Sequence, residues 1–273
     1  MRFASVFLSS ALAVGCASAS LSPAAIAHNT QGSKELDEGR LDDAEARFRL
    51  ALELSPRFAE AHANLGLLLA RRGDAEEGLL ELDRAIELDP DLAVAHVGRG
   101  AVLASLGELD RAINAYDEAL SIQPELVPAR RNLVQLLIAT DRLREARAQS
   151  LRLVQLEPHR AESVAMVAYC DVLLGRPRAA LDRLDAAVGV PRPAPALDLV
   201  RALALAADGE IDSALELLED LSEDPEHGAA ARARQAALLA DLGRREDARR
   251  VLADMRRRHD PSELVDVLGA RLD

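Results

Sequence analysis

Small apolar residues recur along this chain at a fixed interval of 34 positions. One series with this interval consists of Ala44, Gly78, Ala112, Ala146, Ala180, Ala214 and Ala248. A second series lies twelve positions earlier and consists of Gly32, Gly66, Gly100, Val134, Ala168, Ala202 and Ala236. Tandem segments of constant length predict an extended repeat protein rather than one compact enzyme domain.

Each repeat predicts two helices, A and B, that pack closely through these small residues. In the second repeat Gly66 and Gly78 let the two helices approach, and Gly73 ends helix A in a left-handed conformation. Prolines end helix B, because the residue before a proline disfavours the α region; they are Pro56, Pro90, Pro124 and Pro158. The alignment gives seven repeats, numbered one to seven: 25–58, 59–92, 93–126, 127–160, 161–194, 195–228 and 229–262.

Two segments depart from the regular pattern. The proline-rich stretch 191–195 predicts a kink or hinge between repeats five and six. After repeat seven, residues 260–263 show a helix start, with Asp260 as the capping residue and Pro261 at the first helical position. Apolar residues then follow at helical spacing: Leu264, Val267, Leu268 and Leu272. Because a repeat array must cover its last apolar face, residues 263–273 are expected to form a capping helix.

The second repeat carries the fullest motif: Ala59-Glu-Ala-His-Ala-Asn-Leu65-Gly66, then Gly73-Asp74, then Ala85-Ile-Glu-Leu-Asp-Pro90. This motif resembles that of the tetratricopeptide repeat (TPR) family, and the resemblance covers residues 28–262. It implies an all-α fold, a right-handed α-solenoid of helix-turn-helix repeats with a concave groove for a peptide. Residues at the family's groove positions are Glu60, Ala63, Leu67, Arg71, Val94, Val97, Ala101, Arg131, Gln135, Ile138, Tyr169, Leu199 and Leu203.

The groove residues are mostly small and apolar, which favours an apolar or amphipathic helix, or an extended peptide with apolar anchors. Some members of the family hold a carboxylate with a clamp of basic and amide side chains. Asn64 matches one clamp position, but Asn29 and Val94 stand where the clamp has basic residues, so a clamp is not expected. The alternative is that the superhelix itself or the protein's own N-terminal segment fills the groove.

Composition narrows the possible partners. The net charge is −13, no tryptophan is present, and Lys34 is the single lysine among the 33 basic residues. An acidic chain without a long basic stripe is a poor match for phosphate backbones, so nucleic acid is excluded as the expected partner.

Residues 1–27 have the features of a secretory signal. Met1-Arg2 gives a positive start, an apolar run follows from Phe3 to Val14, and small residues come next, in a segment too short to span a membrane. Three processing sites compete: after Ala17-Ser18-Ala19, after Ala25-Ile26-Ala27, and at Cys16 in the lipobox-like Ala13-Val14-Gly15-Cys16. Cleavage after Ala27 would leave helix A of repeat one to start near His28. Each alternative predicts export to the periplasm or to the periplasmic face of the outer membrane.

Packing within the repeat explains the residues that could otherwise suggest catalysis or metal binding. His28, His62 and His96 are 34 apart, and packing between helices explains them better than a metal ladder, because adjacent A helices lie about 10 Å apart. Cys170 is expected to be a buried thiol. No catalytic residue, cofactor or metal is therefore predicted.

The sequence thus predicts a non-enzymatic scaffold of the cell envelope that binds a segment of another protein in an apolar groove. The alternative is an outer-membrane lipoprotein, anchored through Cys16, that assists assembly of a pilus or secretion complex. Neither hypothesis assigns an oligomeric state or an identity to the partner.

Overall fold

The computed structural model describes residues 21–272, and within this range it contains helices and no strand. The predicted signal segment up to residue 20, including Cys16, lies outside the described residues. The helices are α1 (Pro23–Asp37), α2 (Leu41–Leu54), α3 (Ala59–Arg72), α4 (Ala75–Leu88), α5 (Ala93–Ser105), α6 (Leu109–Ile122), α7 (Val127–Ala139), α8 (Leu143–Leu156), α9 (Ala161–Leu173), α10 (Pro177–Asp185), α11 (Pro195–Asp208), α12 (Ile211–Leu221), α13 (Gly228–Asp241), α14 (Arg245–Arg258) and α15 (Ser262–Leu272). The chain divides after Pro90 into two compact units.

The first compact unit contains two helix pairs, α1 with α2 and α3 with α4, and α2 also packs against α3. Phe48 and Leu68 are fully buried in its core. The second pair is held very close by two glycines. A Cβ atom placed on Gly66 would lie 2.7 Å from the carbonyl oxygen of Gly78, and one on Gly78 would lie 2.7 Å from that of Gly66. Neither position therefore accommodates a larger residue without movement of the backbone.

The second compact unit continues the alternation of A and B helices from α5 to α14. Its core consists of successive clusters, in which Tyr116 and Leu133 lie in one, Leu184 and Leu197 in the next, and Met255 in the last. Helix α15 packs on α13 and α14, with Val265 and Leu268 buried in the last cluster. Each cluster joins only neighbouring helices, as expected for a repeat protein.

The turns between helices A and B follow the predicted glycine positions. A left-handed backbone occurs at Gly39, Gly73, Gly107, Gly175, Gly209 and Gly243, with φ between 70° and 104°. Asp141, which replaces the glycine of repeat four, keeps the left-handed conformation with φ of 57°. Aspartate tolerates this region better than most residues, which explains why the turn survives the replacement.

Repeat one begins earlier than cleavage after Ala27 would require. Helix α1 starts at Pro23, so residues 23–27 belong to its first turns, and Ala25 is fully buried. Helix α1 begins there because Pro23 is well suited to the first position of a helix, and cleavage after Ala27 would remove this first part of the helix.

Repeat five has a short helix B. Helix α10 has 9 residues, whereas α4, α6 and α8 have 14 each. The connection that follows it contains a cis peptide bond between Arg192 and Pro193, and its residues Val190 and Ala194 are buried in a core cluster with Leu197. The predicted hinge segment thus packs against the helices on either side of it.

None of the helices within residues 21–272 has the length and apolar character needed to cross a membrane.

Candidate functional site

The groove residues predicted in the second compact unit lie on four A helices, α5, α7, α9 and α11. Within this unit α5 packs against α7, and α9 packs against α11. Three of the predicted side chains, Val94, Ala101 and Gln135, are exposed, and the others are half-buried: Val97, Arg131, Ile138, Tyr169, Leu199 and Leu203. We call this surface of the four helices the A-helix wall. Every predicted residue on it keeps some surface available for contact.

The predicted residues in the first compact unit differ among themselves. Glu60 and Arg71 are exposed at the two ends of α3, and Leu67 is half-buried between them. Ala63 has no exposed surface, so its assignment to a groove is wrong in this structure. Helices α1 and α2 both pack against α3, and a methyl side chain is too short to reach past them.

The A-helix wall is almost free of charge. The family pattern places the second, fifth, ninth, twelfth and thirteenth residues of each repeat in the groove. Of these twenty positions in repeats three to six, only Arg131 and Glu162 are charged. Arg131 donates to the Glu157 carboxylate at 3.1 Å, and Glu162 accepts from Arg160 at 3.1 Å. Both charges are therefore already paired within the protein. The chain as a whole has 29% charged residues, so these positions are poor in charge by comparison.

Tyr169 is the aromatic residue of this wall. It is half-buried and packs against the cluster that contains Val164, Leu197 and Val200. Within the described part of the chain its hydroxyl has no hydrogen-bond partner, whereas the hydroxyl of the buried Tyr116 accepts a hydrogen bond from Asn132 at 3.2 Å. A tyrosine with an apolar body and a free hydroxyl is a typical anchor for a protein partner.

A cleft of about 290 Å³ lies at one edge of the wall, at the N-terminal ends of α9, α11 and α13. Glu162 and Ala196 contribute to it from the wall, and Asp224 and His227 from the segment before α13. The backbone N–H groups of His227 and Glu226 donate to the Asp224 carboxylate and lower the pKa of that group. This edge of the wall is therefore polar and carries negative charge.

The histidines at the fourth position of repeats one to three connect helices within the fold. His62 Nδ1 lies 2.6 Å from Glu81 and its Nε2 lies 3.0 Å from the carbonyl oxygen of Pro56, so it bridges α3, α4 and the preceding loop. His96 Nδ1 lies 3.0 Å from Glu118, and His28 Nδ1 lies 3.5 Å from Arg47.

Arg130 stands at the same position in repeat four and donates to Gln149 and to the carbonyl oxygen of Pro124. Its contacts repeat the pattern of His62, which supports a structural role for this position. Among residues 21–272 no group of three or more metal-binding side chains occurs.

Two buried acids were not predicted from the sequence. Asp171 is fully buried and accepts from Arg147 at 2.5 Å and from Arg183 at 3.3 Å. Glu35 occupies the same register position in repeat one, is 3% exposed, and has an Oε2 atom without a hydrogen-bond partner. Leucine stands at this position in the other repeats, so a polar residue in that column was a signal that the sequence already contained.

Cys170 is fully buried beside Asp171, with its sulfur 3.8 Å from the Ser150 hydroxyl. Burial raises the pKa of this thiol. Since the thiolate is the reactive form, Cys170 is an unreactive packing residue, in agreement with the prediction.

The repeated helix pairs, the left-handed turns and the apolar A-helix wall together define an all-α repeat protein with a charge-poor A-helix surface. Family models described as tetratricopeptide repeat match residues 29–93, 77–127 and 174–228, and a second model of the same description matches residues 103–153. The chain belongs to the tetratricopeptide repeat family. This family is in general a non-catalytic protein-interaction fold.

Solved structures show the same fold. A tetratricopeptide repeat protein from Parabacteroides merdae aligns with a TM-score of 0.72 at 18% identity, over 92% of this chain and 99% of that one. YrrB, described as a TPR protein with an unusual peptide-binding site, aligns with a TM-score of 0.56 at 23% identity, over 66% and 93% of the two chains. PilF from Pseudomonas aeruginosa aligns with a TM-score of 0.56 at 22% identity, over 78% and 96%. Among curated proteins none matches the chain.

Proposed function

We propose that this protein is a non-enzymatic scaffold of the cell envelope that binds an apolar segment of a partner protein on the A-helix wall. The observation that carries the proposal is the near absence of charge on this wall, with both of its charged residues already paired inside the protein. An apolar helix or extended segment loses little by binding there, because no unpaired charge has to be desolvated.

Tyr169, Leu199 and Leu203 form the strongest part of the proposed site. They lie on α9 and α11, which pack against each other, so their side chains belong to one continuous surface. Each is half-buried, which fixes its rotamer and lowers the entropy lost when a partner binds. Binding energy at protein interfaces is concentrated in a few such residues.

The location in the envelope rests on the sequence. Residues 1–27 have a positive start and an apolar run followed by small residues, which is the pattern of a secretory signal. A lipid-anchored role in assembling a pilus or secretion complex remains the alternative, and it requires acylation of Cys16. A diacylated N-terminus in the native protein would favour this alternative.

The test is quantitative capture of the partner from the native envelope by the double variant Tyr169→Ala and Leu203→Asp. We expect capture to fall at least about tenfold, since two anchors of more than 1 kcal/mol each are removed. The matched control is Val267→Asp, which changes an apolar residue on α15 that is 70% exposed and lies outside the wall.

The control is expected to capture the partner like the unmodified protein, and all three proteins are expected to keep the same helical circular dichroism. Equal capture by the double variant and the control would overturn the proposed site. Turnover of a substrate that depends on a wall residue would overturn the non-enzymatic assignment.

A further inference from the structure

The first residues of α1 belong to the core of repeat one. Ala25 is fully buried in a cluster with Ala51, Phe58 and Ala61, which come from α2, the loop after it and α3. A side chain that joins three elements of a small core contributes to the packing of all of them. Loss of Ala25 would open this cluster at one side.

The backbone at the start of α1 is also held in place. Ser22 donates its N–H to the Ser55 hydroxyl at 3.1 Å, and Ser55 is the residue that ends α2. The Ser22 carbonyl oxygen accepts from the Ile26 N–H at 3.1 Å, which closes the first turn of the helix. Pro23 stands at the first helical positions, where its missing N–H costs nothing.

We propose that the signal peptide is cleaved between Ala19 and Ser20, so that the mature protein retains Ser22–Ala27 as the first turns of repeat one. This proposal rests on the proposed export. Ala17 and Ala19 supply the small residues that a signal peptidase recognises. The reaction is hydrolysis: water adds its oxygen to the Ala19 carbonyl carbon, the C–N bond breaks, and the proton goes to the new Ser20 amine.

Cleavage at the competing site, after Ala27, would remove residues that pack in the core of repeat one. It would delete Ala25 and Ser22, with the cluster contacts and the Ser55 hydrogen bond described above. The new N-terminus would lie inside α1, and its first turn would have neither the proline nor the serine that now begin the helix. The two sites have equally suitable small residues, but only cleavage after Ala19 leaves the start of α1 and its contacts intact.

The first experiment is mass spectrometry of the intact protein purified from its native envelope. We expect a mature chain that begins at Ser20. A chain that begins at a diacylated Cys16 would also retain Ser22–Ala27, but it would overturn the proposed bond and support the lipoprotein alternative. A chain that begins at His28 would overturn the proposal, and an uncleaved chain in the cytoplasm would overturn the proposed export itself.

The second experiment tests the structural argument without export. Two purified chains, starting at Ser20 and at His28, are compared by thermal unfolding. The chain that starts at His28 is expected to melt several degrees lower, because the cluster around Ala25 is lost. Equal melting temperatures would show that Ser22–Ala27 do not stabilise the fold.

A matched pair of substitutions in the chain that starts at Ser20 separates packing from chain length. Ala25→Asp is expected to reproduce the loss, since it places a carboxylate in the buried cluster. Ile26→Asp changes the next residue, which is 45% exposed, and is expected to leave the melting temperature unchanged. The same effect from both variants would contradict the assignment of Ala25 to the core.

Discussion

In the repeat formed by α3 and α4, Gly66 and Gly78 face each other across the helix pair, whereas the repeat formed by α9 and α10 has Ala168 and Ala180 at the same positions. The glycines allow backbone contact, and helix B is complete with 14 residues. In repeat five helix B is short and the cleft beside it, lined by Val154 and Val188, has a volume of about 390 Å³.

The two repeats also differ at the eleventh residue of the repeat, which lies in helix A. Repeat two has the apolar Leu69, and repeat five has Asp171 with its two arginine partners. Burial of an ion pair adds little stability compared with an apolar residue of the same volume. Repeat two is therefore held by packing, and repeat five by packing that includes a charge network.

The exposed residues on the A helices of the two repeats also differ. Both A helices expose a glutamate at the second position of the repeat, Glu60 on α3 and Glu162 on α9, but at the thirteenth position α3 exposes Arg71 and α9 exposes Leu173. Under the proposed function, the repeat closest to the family pattern contributes close helix packing, and the one that departs from it contributes the apolar contact surface. Stability and partner binding would then rest on different repeats.

The largest effect is expected from closing the gap between α3 and α4. Gly66→Val places a branched side chain where a Cβ atom would already lie 2.7 Å from the Gly78 carbonyl oxygen, and it should lower the free energy of unfolding by about 3 kcal/mol. Ala168→Val, in the same position of repeat five, should cost about 1–2 kcal/mol, because a Cβ atom is already accommodated there. Chemical denaturation measures both, and an equal loss would remove the distinction between the repeats.

The charge network of repeat five should give a smaller loss. Asp171→Ala is expected to cost about 2 kcal/mol, below the usual range for a broken buried pair, because Arg147 and Arg183 remain partly exposed to water. Asp182→Ala, an exposed acid on α10, serves as the control and should stay within about 0.5 kcal/mol of the unmodified protein. A loss below that of the control would show that the pairs do not stabilise the repeat.

The smallest expected effect is on the local opening of repeat five. The rate at which a thiol reagent labels the buried Cys170 measures this opening. The raised thiol pKa of Cys170 and its full burial predict slow labelling by a thiol reagent at fixed pH, since fewer thiolates form and none is accessible. Asp171→Ala should accelerate labelling, because it loosens the repeat and removes a negative charge that, after burial, helps to raise the pKa of Cys170. Gly66→Val, in the other compact unit, should change the labelling rate by less than about twofold. If Gly66→Val accelerated the labelling of Cys170 and Asp171→Ala did not, the local stability of repeat five would not depend on Asp171.

Much of this fold was predictable from the sequence because its period is strict. The A helices at Ala59, Ala93, Val127, Ala161 and Pro195 begin 34 residues apart, and the left-handed turns stand where glycine recurs. The buried Asp171 was not predicted, because its burial depends on arginines from two other helices. The division after Pro90 and the short α10 depend on tertiary packing, which no single repeat encodes.

The candidate site was predictable only in part. The family positions selected residues that keep some exposed surface, with the exception of Ala63, and Tyr169 and Leu203 are among them. Ala63 has no exposed surface, and Ala165 at the same position of α9 is only 7% exposed, because the neighbouring helices cover this position and a methyl side chain cannot reach past them. The pairing of Arg131 with Glu157 also needed the structure, since the two residues lie 26 positions apart.

Photo-crosslinking in the native envelope shows whether the partner binds the part of the A-helix wall that lies in repeats five and six. A photoreactive phenylalanine analogue is introduced at Tyr169 or at Leu80, which is 70% exposed on α4. We expect one strong adduct of a single partner from position 169 and none from position 80. An adduct from position 80 that equals or exceeds that from position 169 would contradict the proposed binding surface.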